Sequence, residues 1–212
     1  IGVLGTYEDI TERKLIDQAL RDRLAFERLI ASISSRFINL PPGEVDREID
    51  VALRRMCEAL DIDLAILWQW SQATPGLIAP IHVYHAQEGA RPSEPMRQDL
   101  YPWTRQQMLM GRVVAIPALE AFPAEAAVDR ETLRSFGIKS AMALPLAVGG
   151  KAPIGALGLN SLLAQRDWPD ALVKRLQLVV QVFTNALARE RYEQRLIQSE
   201  ARLAASADLA GI

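Results

Sequence analysis

The stretch that decides the fold is "SAMALPLAVGGKAPIGALGLNSL", residues 140–162. Two apolar runs flank Gly149-Gly150-Lys151, and glycines between such runs signal a hairpin, because a tight reversal needs backbone angles that glycine takes at little cost. Neither run approaches the ~20 apolar residues of a membrane span. Downstream, "QRDWPD" supplies helix-start chemistry, with Asp167 as a cap and Pro169 in the first turn. No breaker then occurs between Asp170 and Ala207, which at ~1.5 Å per residue predicts about 55 Å of helix.

The two halves of that helix differ. "LVKRLQLVVQVFTNAL" is apolar enough to pack on a sheet, whereas "ARERYEQRLIQSEARLAASA" keeps a thin seam of Tyr192, Leu196 or Ile197, and Leu203. A thin seam cannot bury itself alone, so a parallel homodimer is expected. The alternative is a solvated helix held by local charge pairs, since Arg189, Glu190, Arg191, Glu193, Arg195, Glu200 and Arg202 mix both signs.

Upstream, residues 87–136 hold five of the chain's twelve prolines. They read as an irregular connection containing a short strand, "RVVAIP", a loop, "YPWTRQQMLMG", and a helix, "AEAAVDRETLRSF". "DLAILWQW" and "LIAPIHVYH", separated by "SQATPG", read as a second hairpin. From residue 11 to about 40 apolar residues recur every three to five positions, predicting a long amphipathic helix that stops at "NLPPG". A second helix is expected from about residue 44 to 60, with Val45, Ile49, Leu53, Met56 and Leu60 on one stripe.

Composition bounds what this can do. Of 212 residues half are hydrophobic and 24% charged, ordinary globular usage. The net charge of -2 supplies no basic footprint for nucleic acid. The single cysteine, Cys57, cannot form an internal disulfide, which with the absence of a membrane-spanning run leads to a cytoplasmic expectation without direct membrane contact.

The order helix, helix, hairpin, cross-connection, "GIKSAMALPL", "GGKAPIGALGL" and a prolonged terminal helix resembles a GAF domain, over residues 26–191. The motif residues are Ser140, Pro145, Leu146, Gly155, Leu157 and Leu159. The resemblance implies a mixed α/β (α+β) fold with a central antiparallel sheet of about six strands flanked by helices. The opening "IGVLGTYEDITERK" resembles the exit of a PAS domain through Asp9, Ile10 and Thr11, with Asp9 and Glu12 at capping-box spacing. "SEARLAASADLAGI" resembles the run-in to another. The implied organisation is the end of a PAS domain at residues 1–10, a linker helix at 11–25, a GAF domain at 26–190 and a signalling helix at 191–212. Such a segment implies a sensory or relay module, itself no enzyme, working beside PAS and effector domains in a sensor histidine kinase or, alternatively, a cyclic-di-GMP signalling enzyme.

Chemistry-bearing residues are few. Cys57 lies in "LRRMCEALDI" on a helix, with no histidine in a nucleophile's arrangement, so a buried apolar role is expected and no catalytic residue is assigned. His82 and His85 on one strand point to opposite faces, which disfavours a shared metal. Cyclic-nucleotide-binding GAF domains carry Asn-Lys, Phe and an acid pair; Asn160 fits, but Ser161, Trp168 and Pro169-Asp170 depart, so cyclic GMP is not expected. A covalent bilin is not expected either, because Cys57 sits in the wrong element. The resemblance places ligands between the sheet and the irregular connection, where Tyr84, His85, Trp103, Met108, Met110 and Phe136 would form an apolar pocket for an unidentified small ligand or fill a second core.

Overall fold

The computed structural model describes residues 11–38, 40–41, 43–71, 74–86, 94–150 and 152–210. The PAS-like stretch and its Asp9–Glu12 cap, and the Leu203 side chain, lie outside the described residues. Helix α1 runs Thr11–Ile38 and α2 Val45–Leu60, followed by strands β1 (Leu64–Trp70) and β2 (Leu77–His85). Strand β3 (Met96–Arg97), helix α3 (Pro102–Leu109), strand β4 (Val114–Ile116) and helix α4 (Ala127–Ser135) make up the cross-connection. Strands β5 (Ser140–Leu146) and β6 (Gly155–Ser161) form the glycine-linked hairpin, and α5 (Asp170–Ala210) closes the chain.

All six strands join one antiparallel sheet in the order β3-β2-β1-β6-β5-β4. The hairpin expected from residues 140–162 is present with Ser140 opposite Ser161 and Leu146 opposite Gly155, and Gly149 and Gly150 take positive φ in its turn. Gly155 has a separate reason to be glycine. A Cβ there would lie 2.0 Å from the carbonyl oxygen of Trp68.

Alternation along the strands builds two cores. Ala65, Leu67, Leu144, Leu146, Leu157 and Leu159 face α1, α2 and α5 in the larger one, where Phe37 and Phe183 meet at 5.5 Å between ring centroids. Ala141 and Ala156 face α3, α4 and β4 in the smaller one, with Met108, Phe122 and Leu133. Each large side chain fully withdrawn from water in these cores contributes about 1.5 to 3 kcal/mol.

Two local expectations are corrected. "YPWTRQQMLMG" is not a loop: it contains α3, whose first-turn amides at Trp103 and Thr104 donate to the Asp129 carboxylate at 3.1 and 2.7 Å. The capping group is 25 to 26 residues away in sequence, beyond any local signal. Helix α5 starts at Asp170, after Pro169, whose carbonyl accepts from Leu172 and Val173; Asp167 lies too far upstream to cap it.

Helices α1 and α5 run parallel on one face of the sheet. Glu27 pairs with Arg175 (3.4 Å), Phe37 packs against Phe183 with the rings tilted, and Arg189 donates to the Leu40 carbonyl (3.2 Å), so position rises together along both. The start of α1 therefore projects beyond one end of the pair and the final turns of α5 beyond the other.

Candidate functional site

A cavity of about 110 Å³ lies on the α3/α4 side of the sheet. Its floor is the alternate residues of three adjacent strands: Ile66, Trp68 and Trp70 from β1, Ala156, Gly158 and Asn160 from β6, and Ala141 and Ala143 from β5. Met108, Val114, Phe122, Leu133 and Ile138 form the opposite wall. A short side chain would enter from Gly158 without a clash, since a Cβ there meets nothing closer than Trp68 Nε1 at 3.5 Å.

Polar groups gather at one end. Trp70 pairs in register with Ile78, and the neighbouring Leu77 carbonyl accepts from Gln98 Nε2 at 3.0 Å. Gln98 Oε1 in turn accepts from Arg105 Nε at 2.6 Å. Gln98 and Arg105 also line an adjoining surface cleft with Arg97 and Asp99. They therefore stand between cavity and solvent. The Trp70 indole N–H is buried and has no partner among the described residues. Close by, the Tyr101 hydroxyl is pushed up from its ordinary value by burial and then by the Asp129 carboxylate.

Of the residues expected to form the pocket, Met108 lines the cavity. Trp103 sits one layer out, edge-on to Phe122 with centroids 5.8 Å apart. Met110 and Phe136 are half exposed, just past the ends of α3 and α4. Tyr84 packs into the larger core, across the sheet from the cavity. A β-bulge explains this placement. Leu67 pairs with His82 but Trp68 with Pro80, so the extra residue, Ile81, reverses the facing of β2. Counting by twos from Ile78 would point Tyr84 at the cavity; after the bulge, His82 and Tyr84 face the helices. His85, opposite Leu64, returns to the cavity-side face but beyond the residues that line the cavity.

The two histidines thus lie on opposite faces. His82 sits against α2, with Nδ1 hydrogen-bonded to Asp50 at 2.8 Å and Nε2 3.2 Å from Asp46 without hydrogen-bond geometry. Among the described residues no cluster of three or more His, Cys, Asp or Glu could hold a metal. Cys57 is buried in the helix-side core, and burial, then Glu58, pushes its thiol up to about 12. The motif residues are structural ties. The Ser140 hydroxyl contacts the carbonyls of Ile116 and Arg166 (both 3.1 Å) and accepts from Trp168 Nε1 (3.0 Å). Asn160 donates weakly to the Leu64 carbonyl at 3.5 Å, and Ser161 donates to Asp63.

Sequence reasoning missed Trp70, Gln98 and Arg105. The alternation Ile66, Trp68, Trp70 was available as a signal for one strand face; the Gln98–Arg105 bond was not, because it depends on a three-residue helical turn just after β3.

A curled antiparallel sheet with helices on one face and a cavity beneath a cross-connection on the other defines a mixed α/β module. The chain belongs to the GAF domain family, whose model matches residues 44–189. Solved structures agree on the fold. The phycocyanobilin-bound GAF domain of a cyanobacterial phytochrome superposes with a TM-score of 0.65 at 16% identity, covering 79% of this chain and 96% of that one. The PixJ GAF domain of Thermosynechococcus elongatus in its blue-light absorbing form gives 0.58 at 14%, covering 74% and 92%. The GAF domain of an Acinetobacter phosphoenolpyruvate-protein phosphotransferase gives 0.59 at 9%, covering 78% and 93%. No curated protein matches the sequence. Among the described residues no helix is long and apolar enough to cross a membrane.

Proposed function

We propose that this chain is a cytoplasmic sensory and signal-relay module of a multidomain signalling protein, set between two PAS domains. A sensor histidine kinase is the parent the sequence favours, and a cyclic-di-GMP signalling enzyme the alternative. The observation that carries this is the double use of the same strands. Ile66 lines the cavity while its neighbours Ala65 and Leu67 pack on the helices; Gly158 lines it while Leu157 and Leu159 do the same. A small ligand in the cavity therefore presses on a sheet one residue thick, whose other face holds α1 and α5. It biases two arrangements of those helices in proportion to its differential affinity for them. A homodimer through the projecting turns of α5 would pass that bias to adjoining domains.

A second reading is a dimerisation spacer without a ligand, favoured by the smallness of the cavity and by Trp103 and Phe122 packing beside it. A thermal-shift screen of small metabolites separates the two. A ligand at 100 times its Kd adds about 2.7 kcal/mol of stability, and the gain should vanish in Gly158→Val, which fills the cavity from the sheet. A spacer gives no stabilisation with any compound.

A further inference from the structure

We infer that the cavity takes a molecule about one ring in size bearing a single carboxylate, with the apolar body inward and the carboxylate at the Trp70–Arg105 end; this rests on the cavity being a ligand site. Size sets the first limit. At about 110 Å³ it is somewhat smaller than the ~150 Å³ apolar cavity known to admit benzene. A molecule of about one ring matches that volume.

The polar inventory sets the second. At the mouth the Trp70 indole and the Arg105 guanidinium are donors only, while the Tyr101 and Thr104 hydroxyls can donate or accept. The Trp70 indole N–H is buried without a partner among the described residues, and an unmet buried donor carries a desolvation penalty that an acceptor on the ligand would relieve. Arg105 uses Nε on Gln98, leaving its two terminal amino groups without a protein partner among the described residues. Gln98 is less available as an acceptor, since its Oε1 already accepts from Arg105, while Nε2 donates one N–H to the Leu77 carbonyl and keeps a second. Two carboxylates lie nearby, and both are engaged. Asp129 accepts two amides at the start of α3, and Asp99 is held by Arg97. A ligand carboxylate would thus meet two donors and no free negative charge. The far end, lined by Ile66, Val114, Leu133 and Ile138, offers apolar contact, with the Asn160 amide its one polar side chain among the described residues.

The test uses benzoate, benzamide and toluene on the 212-residue protein, read by the indole N–H resonances of its four tryptophans, with Trp70 assigned through Trp70→Phe. Benzoate should bind saturably and shift the Trp70 resonance. Arg105→Gln, at an exposed position, should weaken benzoate about tenfold, as expected for loss of a charge-assisted hydrogen bond, and change benzamide less than about twofold; Arg105→Lys should recover part of the loss. Toluene or benzamide binding as tightly as benzoate, or benzoate binding untouched by Arg105→Gln, overturns the carboxylate assignment while leaving the cavity a ligand site. If none of the three binds, the ring-sized carboxylate is overturned, and the metabolite screen decides the broader sensory reading separately.

Discussion

At Gly155 a single hydrogen atom decides whether two strands can approach. With the Trp68 carbonyl oxygen 2.0 Å from where a Cβ would stand, and with backbone on that side, Gly155→Ala must push β1 and β6 apart. Overpacking of this kind costs about 1 to 3 kcal/mol and sometimes more, so urea unfolding should show a loss at or above the upper figure. Gly158→Ala, whose Cβ meets ordinary contact distances, should stay within about 1 kcal/mol of the parent. Cys57 gives a pH prediction. Its thiol is held at about 12 in the folded chain against an ordinary 9.0, chiefly by burial. Above pH 9 the unfolded chain releases that proton while the folded chain keeps it, so the associated stability is intact below 9 and is lost as pH rises towards about 12, to the extent of a few kcal/mol. The difference between the parent and Cys57→Ala in unfolding free energy should shrink across that window. Iodoacetamide should leave the folded thiol unlabelled at pH 8 and label it in denaturant.

Helix α3 depends on a partner from another element. Asp129 is fully buried in α4 and satisfies two first-turn amides of α3, so Asp129→Ala removes a cap and leaves donors unmet. The cost should be about 2 kcal/mol by denaturant unfolding; Asp129→Asn, which keeps one acceptor oxygen, should restore part of it. Because α3 carries Met108 over the cavity, the alanine variant should also weaken any ligand bound there. The same dependence explains what the chain's pattern could and could not convey. Helices α1, α2 and α5 repeat their apolar residues at a helical period and both hairpins are apolar runs around turn residues, and such patterns survive in sequence. Helix α3 has a weak stripe and a cap 25 to 26 residues distant. The pocket residues failed to gather for a related reason. Facing along β2 follows a period of two only until the bulge at Ile81, which turns Tyr84 towards the helices, and Met110 and Phe136 lie just past helix ends where neither period applies. Met108, inside α3 and opposite the sheet, is the member of that set that reaches the cavity.

For the whole molecule the parallel course of α1 and α5 matters most, because it turns one sheet into a link between two ends. Along the first turns of α1, Ile16, Leu20 and Leu24 are exposed at spacings of four; on the last part of α5, Tyr192, Leu196 and Ile197 are 70%, 49% and 65% exposed. Among the described residues neither stripe is covered. A helix of 41 residues, about 60 Å at ~1.5 Å per residue, gains little from its charged second half unless a second copy covers the seam. Truncation after Arg189 should therefore shift the mass measured by light scattering towards the monomer at concentrations where the parent is a dimer. Leu196→Asp and Leu203→Asp should do the same while leaving thermal unfolding of the sheet domain nearly unchanged, because residue 196 touches neither core. A dimer that persists through all three changes would place the contact on the Ile16–Leu20–Leu24 stripe, and Leu20→Asp would then be the change that dissociates it.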